Sequence, residues 1–140
     1  MDGAFLNLSN TSLITHMITK SRGLARLYYA SKYTVQGIKA AFRHEPAFEY
    51  EVYAFIVLFP ASFFVAQSPT QWALLVGSCV LVFAFELINS AIEAVVDRVG
   101  AEYHELAGRA KDLGSATVTM GLIIVVLMWG AVIAENGSLF

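Results

Sequence analysis

A chain of 140 residues in which 57% are hydrophobic and only 14% charged departs from soluble domains, which average about 45–50% apolar and about 25% charged. With a mean hydropathy of +0.62 it reads as a membrane protein, and its length leaves no room for a second domain. The net charge of −2, with no basic patch carrying interleaved aromatics, excludes nucleic acid as a partner.

Residues 1–19 are polar and mixed, with Asn7, Ser9, Asn10, Thr11 and Ser12. They lack the charged start, continuous apolar core and small-residue cleavage site of a signal peptide. They read as a variable leader ahead of a single domain over residues 20–140. Residues 20–44 carry Lys20, Arg22, Arg26, Lys32, Lys39 and Arg43 and no acidic residue. Leu24, Leu27, Tyr28, Val35, Ile38 and Phe42 recur among them near helical spacing. A basic amphipathic helix of this kind lies in the membrane interface; the alternative is a helix packed on a soluble core, which the long apolar spans that follow disfavour.

Three transmembrane helices are expected after it, over about 46–66, 72–99 and 115–134. The first holds Pro60, expected to kink it, with Glu49 and Glu51 near its start. Residues 67–71 form an uncharged turn. The second begins at Trp72, is apolar to Phe85, and ends at Gly100, a residue suited to a helix terminus. Cys79 within it is the only cysteine. It excludes an intrachain disulfide and reads as a buried thiol. All nine Lys and Arg fall before the first span or between residues 98 and 112. That asymmetry assigns the leader and the 98–112 connection to the cytoplasm, and the 67–71 turn and the C-terminus to the opposite side.

The chemistry concentrates on the second span. Glu86, Ser90, Glu93 and Asp97 stand at i, i+4, i+7 and i+11, on one stripe of a helix, and Asn89 borders it. An acidic residue near the centre of a membrane helix costs about 2.5–3.5 kcal/mol to insert, so such a stripe must face protein, cations or a polar cavity. It extends about 16 Å along the axis, from within the membrane to the water. Residues 100–115 add Glu102, His104, Glu105, Arg109, Lys111 and Asp112, cations and carboxylates of the kind a metal-bound triphosphate needs. Neither G-x-x-x-x-G-K-[ST] nor G-x-G-x-x-G occurs. From these residues alone two readings stand: a site joining a lipid headgroup to a soluble cosubstrate, or a small oligomeric ion conductor using the acidic stripe.

The string ELINSAIEAVVDRVGAEYHELAGRAKDLGSA, residues 86–116, resembles the signature of the prokaryotic diacylglycerol kinase family. The resemblance reaches back through GLARLYYASKYTVQGIKAAFRHEPAF, residues 23–48, and covers roughly residues 23–130. It implies an all-α membrane fold, with an interfacial amphipathic helix plus three transmembrane helices per subunit, assembled as a homotrimer with shared sites in the bacterial inner membrane. It implies transfer of the γ-phosphate of ATP to 1,2-diacylglycerol, giving phosphatidate, with Mg²⁺ as cofactor; a related kinase acts on undecaprenol. The family's catalytic base matches Glu86, and its metal-binding pair matches Glu45 and Glu93. Nucleotide contacts match Arg26, Tyr33, Glu45, Glu93, Glu102, Tyr103, His104, Lys111 and Asp112, with Asn89 and Asp97 as further polar positions. Lipid contacts would fall on Arg26, Ser31, Lys39, Phe48, Glu49, Tyr50, Glu51, Trp72, Glu86 and Ser115. Glu49 and Tyr50 depart from the family, whose members carry a basic and then a polar residue there.

Overall fold

The computed structural model describes residues 24–100, 102 and 104–137. The leader 1–19 and Tyr103 lie outside the described residues. Four helices follow in order: α1 (Leu24–His44), α2 (Pro46–Val65), α3 (Pro69–Val99) and α4 (Glu105–Gly137). Three of them, α2, α3 and α4, are long and apolar enough to cross a membrane, as the composition predicts.

The chain divides into two units after Gly37. In the first, α1 exposes Leu27, Tyr28 and Tyr33. Two of its hydroxyls bond within the helix, Ser31 donating to the Leu27 carbonyl and Thr34 to that of Ala30, each at 3.0 Å. The second unit holds the end of α1 and the three long helices.

Proline and glycine set the corners of this second unit. Pro46 at the first turn of α2 restricts the residue before it to extended backbone, and Glu45 sits at φ −116°, ψ 100°. Pro60 does not break α2, which remains helical from Pro46 to Val65. Pro69 opens α3 behind Ser68, whose hydroxyl accepts from the Gln71 N–H at 3.2 Å. Gly100, at φ 156° and ψ 161°, occupies a region essentially reserved for glycine and stops α3. The His104 Nδ1 then accepts from the Leu106 N–H at 3.2 Å, capping the start of α4.

Within this unit α3 is the central helix. Its main partner is α4 and its lesser one α2, while α2 and α4 touch only slightly. Leu75, Ser78, Cys79, Val82, Glu86 and Asn89 are its buried residues, an i, i+3, i+4, i+7 stripe that turns from apolar to polar along the helix. On the α2 side an aromatic run covers it: Phe83 meets Phe48 and Phe55 at ring-centroid distances of 5.6 and 5.3 Å, and Trp72 meets Phe63 at 5.6 Å. On the α4 side glycine permits close approach. A Cβ at Gly121 would lie 2.8 Å from a Phe85 ring carbon and 3.3 Å from a Val82 methyl. The outward faces stay uncovered by this chain, with Ile56, Val57 and Phe64 of α2 and Val126 and Leu127 of α4 exposed.

A polar clasp closes the end of the bundle opposite the acidic stripe. The buried Asn136 of α4 donates from Nδ2 to the Val65 carbonyl at 2.6 Å and to Gln71 Oε1 at 3.1 Å. Gln71 Nε2 donates in return to Asn136 Oδ1 and to Glu135 Oε2, both at 3.1 Å. Val65 ends α2, so its carbonyl lacks a partner inside its own helix. Asn136→Leu is expected to lower stability by about 1–2 kcal/mol, because it strips partners from Val65 and Gln71 together. The measurement is detergent-induced unfolding followed by circular dichroism; an unchanged midpoint contradicts it.

Candidate functional site

At the other end of the second unit, acidic side chains from two helices converge. Glu86 is 3% exposed, and its charge interacts with Glu45 and Glu93 and with Glu51. Local chain chemistry explains each placement. Glu45 stands at the α1–α2 corner because Pro46 follows it, and its side chain makes no hydrogen bond to the helix it precedes. Glu51 comes from the second turn of α2. Glu86 and Glu93 lie on the inward stripe of α3, two turns apart. The Ser90 hydroxyl between them donates to the Glu86 carbonyl at 2.9 Å, which satisfies it without using a carboxylate.

Asn89 links this group internally. It is 8% exposed, and its Nδ2 donates to Glu93 Oε1 at 3.0 Å. Its Oδ1 is buried and has no hydrogen-bond partner among the described residues. Glu51 Oε2 is likewise buried and unpartnered among them, at the rim of an otherwise apolar cavity of about 60 Å³ between α2, α3 and α4. Cys79 lines the same cavity and is a buried free thiol.

A cation faces the carboxylates. Lys111, on the part of α4 before the stretch 115–134, donates to Asp97 Oδ1 at 2.9 Å. That bond, with the charges of Glu93 and Glu45, holds its ammonium above the ordinary lysine range. The pair is solvent-exposed, so its worth is positional: it fixes where the positive charge sits across the α3–α4 seam.

Other expected residues distribute differently. Arg26, Ser31 and Tyr33 belong to the first unit. Lys39 of α1, Glu102 and His104 of the α3–α4 corner, and Asp112 and Ser115 of α4 are exposed. His104 is engaged as the cap of α4. Phe48 is buried against Phe83. Tyr53 donates from its hydroxyl to Glu49, one turn away, and Tyr50 is 73% exposed, so neither departure from the family pattern is buried. Trp72 is not gathered with the carboxylates. It lies fourteen residues before Glu86, about 21 Å along the helix axis, within the aromatic cluster with Phe59 and Phe63.

Among the described residues no three His, Cys, Asp or Glu side chains form a group able to hold a metal by themselves. The donor set is nonetheless of the kind that suits Mg²⁺, which is commonly bound through one or two carboxylates with substrate phosphates and water completing the shell. Sequence reasoning passes over Gly114. A Cβ there would run into Asn89 Oδ1 and lie 3.4 Å from its Cγ. A glycine just ahead of the apolar stretch of α4 is the only sign of this in the sequence.

Comparison with known proteins agrees with this architecture. The model of the family described as prokaryotic diacylglycerol kinase matches residues 32–133. A diacylglycerol kinase of Haemophilus influenzae is 46% identical over 114 residues, covering 81% of this chain and 97% of the relative. That of Escherichia coli strain K12 is 42% identical over 113 residues, covering 81% and 93%. That of Pseudomonas aeruginosa is 41% identical over 111 residues, covering 79% and 90%. With matches of this extent running through Glu86, Asn89, Glu93 and Lys111, the chain belongs to the prokaryotic diacylglycerol kinase family.

Proposed function

We propose that this protein phosphorylates the free hydroxyl of 1,2-diacylglycerol in the bacterial inner membrane, using ATP and giving phosphatidate and ADP. The observation that carries the reading is Glu86. A carboxylate 3% exposed on a membrane helix, facing three further carboxylates, is a costly arrangement that a packing role does not require. The relatives' names supply the substrate class.

In this reading Glu86 takes the proton of the lipid hydroxyl as its oxygen attacks the γ-phosphorus and the bond to the ADP oxygen breaks. Glu45 and Glu93 are the carboxylates that would hold Mg²⁺, which when bound supplies charge neutralisation to the phosphates. Lys111, held by Asp97, offsets charge on the transferred group. Arg26, Tyr33, Glu102, Tyr103, His104 and Asp112 contact the nucleotide. Arg26, Ser31, Lys39, Phe48, Glu49, Tyr50, Glu51, Trp72 and Ser115 contact the lipid. Phosphoryl transfer asks chiefly for positioning and electrostatics, which suits so small a chain.

Three copies assemble into the working enzyme, and neighbours complete each site. Supporting this are the uncovered faces of α2 and α4 and the two-carboxylate character of the metal site. The basic residues on one side of the spans support a cytoplasmic N-terminus and site, an interfacial α1 and a periplasmic C-terminus.

Purified protein in bilayers with Mg-ATP is expected to phosphorylate diacylglycerol. Turnover confined to undecaprenol reverses the substrate assignment, and turnover with neither lipid removes the kinase reading. Glu86→Gln is expected to cut kcat by about 10²–10⁴-fold, the range for a positioned general base, with helix content and oligomer size unchanged. A normal rate in the Glu86→Gln variant eliminates Glu86 as the base.

A further inference from the structure

We infer that Gly114 is a positioning residue for the reaction: its lack of a side chain lets the Asn89 amide stand in the α3–α4 seam and orient the Glu93 carboxylate. The inference rests on the functional reading above for the role of Glu93, but its geometry stands apart from that reading.

Gly114 is buried on α4, opposite Asn89 of α3. The position a Cβ would take collides with Asn89 Oδ1 and lies 3.4 Å from Cγ and 3.6 Å from the Asn89 Cα. At Gly114 that space holds a hydrogen, so a Cα–H bond points at a buried amide oxygen that lacks a hydrogen-bond partner among the described residues. A weak C–H···O contact of this kind is common where helices approach closely. The other end of the same amide is committed, with Nδ2 donating to Glu93 Oε1 at 3.0 Å. The amide is one rigid plane, so whatever displaces Oδ1 also swings Nδ2 away from Glu93.

Moving the helices apart locally to admit a methyl group at 114 would disturb contacts on either side of it. On one side, Lys111 is bonded across the seam to Asp97 at 2.9 Å. On the other, Gly121 admits the Phe85 ring within 2.8 Å of its Cβ position. Position 114 lies between these contacts, and Asn89 Oδ1 is the one neighbour closer to the added Cβ than ordinary contact, the Asn89 Cα at 3.6 Å lying at normal distance. The strain must therefore fall on the side chain of Asn89 and, through it, on Glu93. Gly121 provides the contrast, because its tight neighbours are apolar side chains of Phe85 and Val82, which carry no bond to a carboxylate.

Full-length Gly114→Ala, Asn89→Ala, the double variant and Gly121→Ala are compared in bilayers. Measured are the Mg²⁺ concentration giving half-maximal rate, the diacylglycerol concentration doing the same, Mn²⁺ binding by paramagnetic resonance with a non-hydrolysable ATP analogue, and the unfolding midpoint. Gly114→Ala is expected to raise the Mg²⁺ concentration required and lower Mn²⁺ affinity by about 10–100-fold, the range for residues that orient metal ligands, and to leave lipid half-saturation unchanged. The double variant is expected to match Asn89→Ala alone, because the methyl then fills space the amide has vacated. Gly121→Ala is expected to lower the unfolding midpoint with no change in metal dependence. If Gly114→Ala does not fold, the double variant must fold and behave as Asn89→Ala; its failure to do so overturns the inference. Equal metal effects at 114 and 121, multiplied effects in the double variant, or an unchanged metal dependence in Gly114→Ala overturn it as well. A wild-type protein that turns over no lipid overturns the functional reading instead, an outcome separate from these.

Discussion

Lipid cannot solvate a carboxylate, and in this protein that single constraint orders the central helix. The stripe of α3 that buries Leu75, Cys79 and Val82 continues without a change of face into Glu86 and Asn89. The core and the acidic site are thus two halves of one helix surface. A polar side chain on a lipid-facing side of α3 would meet hydrocarbon, at several kcal/mol for each unsatisfied group. Small residues on the partner helix let it approach this stripe closely. Gly121 lets α4 close on Phe85, and Gly114 lets it close on Asn89. This is the usual logic of membrane interfaces, where small residues permit close backbone approach, applied at the level where the seam turns polar.

Helix lengths then set where the site lies. α2 has 20 residues, α3 has 31 and α4 has 33, or about 30, 46 and 50 Å at 1.5 Å per residue. The hydrocarbon core is about 30 Å thick, so α2 just spans it while α3 and α4 overshoot by about 15–20 Å. The chain joins α3 to α4 through a short corner at Gly100, so both overshoots fall at the same end and run antiparallel. Lys111 and Asp97 meet there. Glu45, at the start of α2, comes level with the same region because Pro46 fixes where α2 begins. Charges distant in sequence are brought to one height by three helix termini and not by any long loop.

Much of this is legible in the residues. Hydropathy locates the three spans, and the period of 3.6 puts Glu86, Ser90, Glu93 and Asp97 on one face without coordinates. What is hard to read has physical reasons. Helix α4 begins at Glu105, ten residues ahead of its apolar stretch, because a helix outside the bilayer needs no apolar run and the charges there look like a connection. Helix α3 begins at Pro69, not at Trp72, because its start is set by Ser68 capping and the proline, which hydropathy does not register. Trp72 reads from sequence only as the start of a span, and its surroundings are the rings of Phe59 and Phe63. The clasp of Gln71 with Asn136 joins residues 65 apart, and no local pattern announces such a pairing. Gly114 offers no chemistry of its own; its meaning lies wholly in what stands opposite.

Glu49 and Tyr50 fit the same division between faces. Position 49 is one turn from Glu45, and a further carboxylate there would add repulsion to a region already holding Glu45, Glu51, Glu86 and Glu93. Tyr53 answers that charge by donating its hydroxyl to Glu49, an i, i+4 pair that keeps the acid engaged on the outer side of α2. Tyr50 points to the surroundings, 73% exposed, where a ring with a polar tip suits the membrane interface. Glu51, by contrast, turns toward the cavity between the helices. Two neighbouring acids on one helix therefore differ in surroundings by a rotation of about 200°: one is hydrogen-bonded within its own helix, the other lines the cavity between the helices. Variation on the outer face can thus change the lipid-facing surface while the inward carboxylates, fixed by the packing of α3, keep their arrangement.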